Sequence, residues 1–306
     1  MQYRGARMKI TVVIPTYQRE RVLLDTIDQL LNLDPPPLEI LIIDQTSDHE
    51  PITARALALH DSQNRIEWIR LRKPSITRAM NTGLKHSSGE VVVFLDDDII
   101  PHPGLIGAHY RAHCQGEDVV AGQVLQPGES PTEVTEPIPF RFNSTRKQHV
   151  TEFIGCNFSV NRKLAISLGG FDENFVHVAY RFEAEFANRV LTIGKRILFE
   201  PEASVRHLKA ERGGTRSYGL HLKTIWPSHS VGAYYFLLRS KNVSRRLLGV
   251  VTRPLRAVRT KHHFTHPWWI PATLASEAMG FAWAMWLYLR GPRLLNSTPE
   301  VGHKND

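Results

Sequence analysis

The sequence predicts an α/β protein with a mostly parallel sheet flanked by helices and followed by a helical appendage. Apolar runs alternate with amphipathic helical segments in the first part of the 306-residue chain. The runs are nearly continuous, which is typical of strands that a parallel sheet buries on both faces. After about residue 215 the sequence becomes helical, basic and apolar. We therefore expect an α/β domain at 8–215 and a helical region at 216–306.

The elements of the α/β domain follow from the spacing of apolar residues and from proline and glycine stops. We expect Pro15 to end the first strand. Residues 125–150 contain four prolines without a clear period, which is typical of a functional or mobile loop. The predicted elements are a strand at 9–17, a helix at 21–33, a strand at 38–44, a helix at 52–59, a strand at 65–71, a helix at 75–89, a strand from 91, a short strand, helix and turn within 152–175, a helix at 182–194 and an extended segment at 195–208.

Acidic residues stand where two predicted strands end. Asp44 closes "LEILIID", and Asp96, Asp97 and Asp98 directly follow "VVVFL". Ligands of open α/β sheets bind at the carboxyl ends of strands, so we expect these carboxylates to line one crevice. A turn or a helix N-cap explains one aspartate, but adjacent carboxylates repel one another and are costly to bury. A Mg²⁺ or Mn²⁺ ion, bound by carboxylates and substrate phosphates, is the simplest compensation.

Composition narrows the functional classes. The net charge of +8 and the pI of about 9.6 suit nucleic acid, an anionic membrane face or a phosphorylated ligand. The aromatic residues are not interleaved with Lys and Arg, and no helix-turn-helix or zinc-finger spacing is present, so we expect no nucleic-acid partner. Cys114 and Cys156 form no disulfide framework, and no secretory signal is visible. These features favour a reducing, cytoplasmic compartment.

Five segments resemble family 2 glycosyltransferases of the GT-A fold in their order and spacing, over about residues 8–210. They read "VVIPTYQRE", "EILIIDQTSD", "ITRAMNTGLKHSSGEVVVFLDDD", "GCNFSVNRKLAISLGGFDENF" and "FEAEFANRV". The resemblance implies a GT-A (Rossmann-like) catalytic domain at 8–215. It also implies inverting transfer of a sugar from a nucleotide-diphosphate donor to the hydroxyl of a glycan, a lipid-linked molecule or a small molecule.

The resemblance implies a role for each matching residue. Asp98 resembles the metal ligand of the family, and His207 the histidine that completes the metal shell; an ordinary histidine without a ligand is the alternative. For Asp44 the alternative is a helix N-cap, and for Arg78 an exposed helix face. Gly155, Cys156 and Asn157 match the wall for the donor sugar and the acceptor. The donor-binding residues are Pro15, Thr16, Tyr17, Arg19, Asp44, Arg78, Asn81, Asp96 and Asp97, to which the glycine-containing segment "ERGGTR" adds Arg216 as a diphosphate ligand.

Glu183 matches the position of the catalytic base, although this stretch departs from the family pattern. Phe182 replaces an acid, and the glutamate is one methylene longer than the usual aspartate. Glu185 and Arg189 are four residues apart on a predicted helix and can form an ion pair, which leaves Glu183 to point into the site. The alternative is that both glutamates are exposed helix residues. We interpret Glu183 as a general base.

The C-terminal region indicates contact with a membrane or packing on the catalytic domain. At about 1.5 Å per residue, 272–289 falls just short of a hydrocarbon core of roughly 30 Å. Its tryptophans and the arginines before them suit an interfacial helix, which would place the protein at the cytoplasmic face of a membrane and fit a lipid-linked acceptor. These residues are Trp268, Trp269, Trp283 and Trp286, and Arg245, Arg246, Arg253, Arg256 and Arg259.

Three other functions are compatible with parts of the sequence. Phe182 suggests a degenerate protein that binds a nucleotide sugar without catalysis. The net charge alone permits a basic nucleic-acid-binding protein. A nucleotidyltransferase would require a glycine-rich phosphate loop after the first strand, but "PTYQRE" contains no glycine.

Overall fold

The computed structural model describes residues 9–133, 140–219 and 222–295. The outer limits of both predicted domains, residue 8 and residues 296–306, lie outside this part of the chain. The described strands are β1 (Ile10–Thr16), β2 (Glu39–Asp44), β3 (Glu67–Arg70), β4 (Val91–Leu95), β5 (Ile99–Pro101), β6 (Val119–Leu125), β7 (Gln148–Val150), β8 (Asn157–Asn161) and β9 (Ile197–His207).

Helices lie between the strands and form most of the C-terminal region. The described helices are α1 (Arg21–Leu31), α2 (Pro51–Ser62), α3 (Ile76–His86), α4 (Leu105–Cys114), α5 (Arg162–Ser167), α6 (Phe182–Thr192), α7 (Ser230–Leu238), α8 (Val243–Val258), α9 (Lys261–Thr265) and α10 (Ile270–Leu289). The predicted boundary at 215/216 falls inside a 3₁₀ turn over Gly214–Tyr218.

The strands form one sheet in the order β3-β2-β1-β4-β8-β6-β9-β5, with β7 also paired to β9. The first four strands in this order are parallel, and so are β6 and β9. β8 is antiparallel to both of its neighbours, and β5 and β7 are antiparallel to β9. The predicted α/β class with flanking helices is confirmed, but the second half of the sheet is mixed. The described residues between β6 and β8, 126–133 and 140–156, contain no helix, whereas parallel neighbours are usually joined by a helical crossover.

Both faces of the sheet are covered, which explains the continuous apolar strands. All five residues of β4 are buried, and they alternate between two core clusters. Val92 and Phe94 belong to the cluster under α3, α6 and α7. The other β4 residues belong to the cluster under α1, α2 and α4. Each buried valine, leucine or phenylalanine contributes about 1.5–3 kcal/mol, and β4 accordingly contains no polar side chain.

Pro15 does not end β1, which is a correction to the sequence prediction. It pairs in register with Ile43 of β2, and the strand continues to Thr16. β4 accompanies β1 only as far as Val13. Beyond that residue β1 has a strand on one side only, where a proline without an N–H is tolerated.

The C-terminal region packs on the α/β part through α7 and the residues after α10. Tyr234 and Tyr235 of α7 belong to the main core. Tyr235 donates a hydrogen bond of 2.7 Å to Asp172, and the Arg293 amide donates one of 2.9 Å to the same carboxylate. Asp172 thus connects the turn after α5 to the segment that follows α10. Among residues 9–133, 140–219 and 222–295, no helix has the length and apolar character that a membrane span requires.

Candidate active site

A cavity of about 460 Å³ opens where β1 and β4 end. Its walls come from the end of β1, the start of α6, the 3₁₀ turn and the segment before β8. A further wall is formed by residues 96–98 after β4, which we call the acidic turn. Most of the predicted site residues line it: Pro15, Thr16, Tyr17, Arg19, Asp96, Asp97, Asp98, Gly155, Cys156, Glu183, His207 and Arg216. The parallel strands and their neighbours therefore bring residues far apart in the sequence to one crevice.

Asp96, Asp98 and His207 form a cluster that could hold a metal ion. One ligand atom from each side chain lies within 4.8 Å of the others. The antiparallel pairing of Ile99 with His207 explains this meeting, because it puts the end of β9 beside the acidic turn. His207 Nε2 lies 3.1 Å from Asp98 Oδ1 and 3.7 Å from Asp96 Oδ2. Two carboxylates and one imidazole fit Mn²⁺ well, whereas Mg²⁺ prefers oxygen ligands alone.

Asp97 faces away from this cluster and organises the residues around it. Its carboxylate accepts hydrogen bonds from Thr16 Oγ1 at 2.7 Å and from Arg19 Nε at 3.0 Å. The Arg19 guanidinium also lies 3.2 Å from Asp98 Oδ2. Arg19 thus holds two consecutive aspartates in different orientations, one toward β1 and one toward the cavity.

The acidic turn contains carboxyl groups with opposite pKa shifts. Burial raises the pKa of Asp96 to about 6 and that of Asp97 to about 7, although the nearby His207 and Arg19 charges work against it. Burial also acts on Asp98, but hydrogen bonding and charge from His207, with help from Arg19, lower its pKa overall. Burial acts to lower the pKa of His207, but its bond to Asp98 and the charges of Asp96 and Asp98 together raise it overall. The turn therefore favours a bound positive charge at Asp98.

Glu183 lies in the first turn of α6 and faces the cavity. Burial, reinforced by the charge of Asp96, raises its pKa to about 7. The absence of a side chain at Gly155 makes room for this carboxylate, since a Cβ there would lie 3.1 Å from Glu183 Oε1. A carboxyl group with a pKa near neutrality and access to a cavity is suited to general base catalysis.

The residues around Glu183 explain how α6 tolerates the departure from the family pattern. Phe182 is buried and packs edge-on against Phe171, with ring centroids 5.9 Å apart. Glu185 is also buried, and its carboxylate pairs with Arg189 at 2.8 Å and with Arg239 at 3.1 Å. The predicted pair between Glu185 and Arg189 is confirmed. Phe182 thus contributes to the core, and Glu183 is the α6 carboxylate that lines the cavity.

The segment after β9 crosses the end of β1 and covers one side of the cavity. The Gly214 amide donates a hydrogen bond of 2.7 Å to the Tyr17 carbonyl. Gly213 has a φ of 80°, and a Cβ there would lie 2.1 Å from the Gln18 carbonyl oxygen. Only glycine fits this close approach. Arg216 bonds the carbonyls of Lys209 and Ala210, so its guanidinium stabilises the same segment.

Asp44 is not part of the cavity wall, which differs from the prediction that all strand-end carboxylates share one crevice. Its carboxylate is fully buried and accepts hydrogen bonds from Trp68 Nε1 and His49 Nε2 at 2.9 Å each and from the Thr46 amide at 2.8 Å. Burial alone would raise its pKa, but these bonds together lower it. The neighbouring Gln45 lines the cavity instead.

Three further predicted residues lie outside the cavity wall because the protein itself occupies their polar groups. Asn81 is buried and donates a bond of 2.8 Å to the Phe171 carbonyl. Arg78 lies 3.4 Å from Glu173. Asn157 donates to the carbonyls of Gln123 and Ala203 and lies 3.0 Å from His109 Nε2. These contacts indicate structural roles at the turn after α5 and behind β8.

Sequence reasoning missed several residues of the cavity wall. His177 and Tyr218 face one another with ring centroids 5.1 Å apart, and His177 also packs on Trp283 at 5.2 Å. Trp283 therefore lies next to the cavity wall and not on the exposed surface of the appendage. No sequence motif predicts these contacts, because they form only when the C-terminal helices pack against the α/β part. Other wall residues that the sequence did not predict include Gln45, Phe142, Glu152, Tyr180 and Arg181.

Known proteins resemble this chain in sequence. Residues 11–169 match the family described as Glycosyl transferase family 2. The probable glycosyltransferase YdaM of Bacillus subtilis is 25% identical over an alignment of 227 residues, which covers 64% of this chain and 49% of the relative. The GalNAc(5)-diNAcBac-PP-undecaprenol beta-1,3-glucosyltransferase of Campylobacter jejuni is 25% identical over 209 residues, covering 61% of this chain and 68% of the relative. The chain thus spans about half the length of the Bacillus protein.

A solved structure resembles the fold. The mannosyltransferase PcManGT of Pyrobaculum calidifontis, in complex with GDP-Man and Mn²⁺, superposes with a TM-score of 0.54. The match covers 94% of this chain and 80% of that chain at 19% identity. At this identity the likeness establishes the fold alone.

Proposed function

The chain belongs to glycosyl transferase family 2, and we propose that it is an inverting glycosyltransferase. It would transfer a sugar from a nucleotide-diphosphate donor to an acceptor hydroxyl. One observation supports this most strongly: a carboxyl group with a pKa near 7, Glu183, shares a cavity with the cluster of Asp96, Asp98 and His207. Such a cavity offers a base for the acceptor and a binding site for the donor diphosphate.

The donor would bind along the end of β1 and the acidic turn. Thr16, Tyr17 and Gln45 would surround the nucleoside, since they line the cavity beside β1 and β2. Asp98, His207 and Asp96 would hold Mn²⁺ or Mg²⁺, and the imidazole favours Mn²⁺. When bound, such an ion neutralises charge on the leaving diphosphate. Arg216 of the covering segment lines the cavity and would assist electrostatically.

Glu183 would act as the general base in a single displacement. The acceptor oxygen forms a bond to the anomeric carbon while the bond from that carbon to the diphosphate oxygen breaks. The acceptor proton passes to Glu183, so no covalent intermediate with the protein is required. Gly155 and Cys156 would form the wall beside the reacting sugar. The pKa of Cys156 is raised well above its ordinary value by burial and the surrounding carboxylates, which suits a wall residue and not a nucleophile.

A lipid-linked acceptor at the cytoplasmic face of a membrane is the acceptor that we favour over a free glycan or a small molecule. The C-terminal region supports this choice through its arginines and its exposed apolar residues. The name of the Campylobacter relative also describes a lipid-diphosphate acceptor. Membrane contact would be peripheral and would involve residues of 216–306.

A thermal-shift panel of nucleotides and nucleotide sugars, with and without Mn²⁺, tests the proposed function. We expect one class of nucleotide to raise the melting temperature by several degrees only when Mn²⁺ is present, since a ligand at 100 times its Kd adds about 2.7 kcal/mol. Slow Mn²⁺-dependent hydrolysis of the matching nucleotide sugar would support transferase chemistry. Stabilisation without metal, or by no nucleotide at all, would contradict the proposal.

A non-catalytic nucleotide-sugar-binding protein is the second candidate, because Phe182 has replaced an acid and joined the core. This candidate predicts donor binding without turnover. If the wild type binds a nucleotide sugar in the panel but neither hydrolyses it nor transfers it to any acceptor, the binding function becomes the better explanation.

A further inference from the structure

Helix α8 turns a row of apolar side chains toward solvent. Val243, Leu247, Val251 and Leu255 are spaced by four residues, and they are 54%, 60%, 71% and 54% exposed. We call these four residues the α8 stripe. Side chains four apart lie on one side of a helix, so the stripe is a continuous apolar surface and not a scatter of single exposed residues.

The opposite side of α8 fixes this orientation. Val250 packs against the main core, and a Cβ at Gly249 would lie 2.6 Å from Leu237 of α7. Arg253 Nε lies 2.9 Å from the buried Glu277 carboxylate of α10. Since the inner side packs on α7 and α10, rotation of α8 cannot bury the stripe without breaking these contacts.

The charges of α8 have one sign. Its sequence, "VSRRLLGVVTRPLRAV", contains four arginines and no acidic residue. Arg256 is exposed, as is Arg259, which follows Leu255 by four residues and continues the row of the stripe. The exposed Phe264 and Trp268 come shortly afterwards in the chain. Apolar residues beside arginines, with aromatic residues nearby, are typical of a helix that lies in the interface of a bilayer.

We infer that the α8 stripe docks on an anionic lipid bilayer, with α8 lying parallel to its surface. The positive charge favours an anionic membrane over a second copy of this chain, because a copy would bring its own arginines to the contact. At 1.5 Å per residue α8 is about 24 Å long, enough to lie flat with all four stripe residues in the interface. The inference gives the proposed membrane contact a defined surface and partner.

Docking of α8 would also bring a second cavity to the bilayer. This cavity, of about 710 Å³, lies between α7, α8 and α10 and includes Leu248 and Arg256 of α8 in its wall. It shares Tyr180 and Arg181 with the active-site cavity. The two cavities thus adjoin at these residues, and an acceptor anchored in the membrane would approach Glu183 past α8. This step rests on the proposed function, whereas docking itself does not.

Flotation with vesicles of phosphatidylcholine and phosphatidylglycerol tests the docking with the full chain and no substrate. The double variant Leu247→Glu, Val251→Glu should weaken vesicle binding by about tenfold for each side chain. The matched control is Ile52→Glu on α2, because Ile52 is 75% exposed and lies on the other face of the sheet. This control should bind vesicles within about twofold of the wild type, as expected for a change outside the contact.

A second pair of variants tests the electrostatic part. Arg256→Gln and Arg259→Gln should each weaken binding to the anionic vesicles by about fivefold. Added salt should weaken the wild type in the same way. Equal binding to vesicles of phosphatidylcholine alone would overturn the anionic preference.

Several outcomes would overturn the inference. The first is a wild type that does not float with anionic vesicles, and the second is a Leu247→Glu, Val251→Glu variant that floats as well as the wild type. A wild-type dimer in sedimentation that the same variant converts to a monomer would assign the stripe to a second copy instead. The nucleotide thermal shift should be unchanged in all these variants. If the wild type itself shows no thermal shift with any nucleotide, that result would count against the proposed function and not against docking.

Discussion

Asp44 and Asp98 occupy comparable places but have different surroundings. Both follow parallel strands of the same sheet, Asp44 at the end of β2 and Asp98 just after β4. The carboxylate of Asp44 is enclosed by Trp68, His49 and the Thr46 amide. The carboxylate of Asp98 also has protein partners, but it borders a cavity and stands beside two more acids.

The difference indicates which strand-end carboxylate is accessible to an external ligand. Only the carboxylate of Asp98 borders a cavity, whereas that of Asp44 is enclosed by protein groups. At Asp44, one indole, one imidazole and one amide occupy three of the about four acceptor sites of the carboxylate. At the acidic turn, Arg19 and His207 cannot balance three aspartates in close proximity. The remaining negative charge faces the cavity, and this is where we place the metal and the donor diphosphate.

The largest expected effect on activity comes from replacing Asp98, whose carboxylate borders the cavity. Asp98→Ala should reduce transferase or donor-hydrolysis activity about ten-thousandfold, since it removes the main ligand of an ion that supplies several kcal/mol. Calorimetry should detect no Mn²⁺ binding by this variant in the presence of the nucleotide. Asp44→Asn is the matched control and should still bind Mn²⁺. Full activity of Asp98→Ala would contradict the proposed metal site at Asp98.

Glu183→Gln should lower kcat about a thousandfold, because the amide cannot accept the acceptor proton. Donor binding should stay within about twofold, since Glu183 has no predicted role in holding the nucleotide. Steady-state kinetics and the nucleotide thermal shift separate the two quantities. Glu185→Gln is a useful contrast, as it should destabilise the fold by breaking the pair with Arg189 and leave the proton transfer intact. A Glu183→Gln enzyme with wild-type kcat would rule out this base.

Asp44→Ala should lower the free energy of unfolding by about 3 kcal/mol, because it leaves buried donors without their acceptor. Chemical denaturation of wild type and variant measures this change. Any loss of activity should follow from reduced stability and disappear at low temperature. If the variant folds normally but no longer binds nucleotide, Asp44 belongs to the donor site after all.

The pair of Asp44 and His49 also predicts how this stability depends on pH. The pKa of Asp44 is lowered from 3.8, so its contribution is present above that value and is lost as the pH falls through the folded pKa. The pKa of His49 is raised from 6.5 by its bond to Asp44, so its contribution is present below 6.5 and is lost as the pH rises through the folded pKa. The stability difference between wild type and Asp44→Ala should therefore be largest between pH 3.8 and 6.5.

The smallest expected effect is the decrease of kcat/KM on the acidic side of its pH profile. Glu183 has a pKa of about 7, and only its ionised form can accept a proton. Below that value kcat/KM should fall about tenfold for each pH unit. Measurements between pH 5.5 and 8.5, with a stability control at each pH, would show this decrease. A profile that stays flat through this range would assign the base to another group.

The sequence was sufficient for the features that depend on local pattern and strand order. It predicted the α/β class, the helix of Glu183 and the pair of Glu185 with Arg189, whereas the place of His207 beside the acidic turn was implied only by the family resemblance. It could not predict which polar groups the protein itself would satisfy. Trp68 and His49 enclose Asp44 only after β3 and the loop before α2 come together.

Other differences from the expected arrangement have similar causes. Asn81 and Asn157 resemble ligand-binding residues in their motifs, and in the structure their amides donate to backbone carbonyls. The antiparallel placement of β8 depends on a long connection without a helical period. Trp283 lies next to the cavity wall because α10 packs against α7 and returns to the α/β part. No short sequence motif predicts this long-range packing.

Arg19 has one further consequence. The same guanidinium touches Asp97, Asp98 and the carbonyls of Ala210 and Arg212, so it connects the acidic turn to the segment that covers the cavity. A divalent ion that draws Asp98 away from Arg19 must also alter the hold on that segment. Metal binding at Asp98 and the position of the covering segment should therefore be coupled through this one side chain.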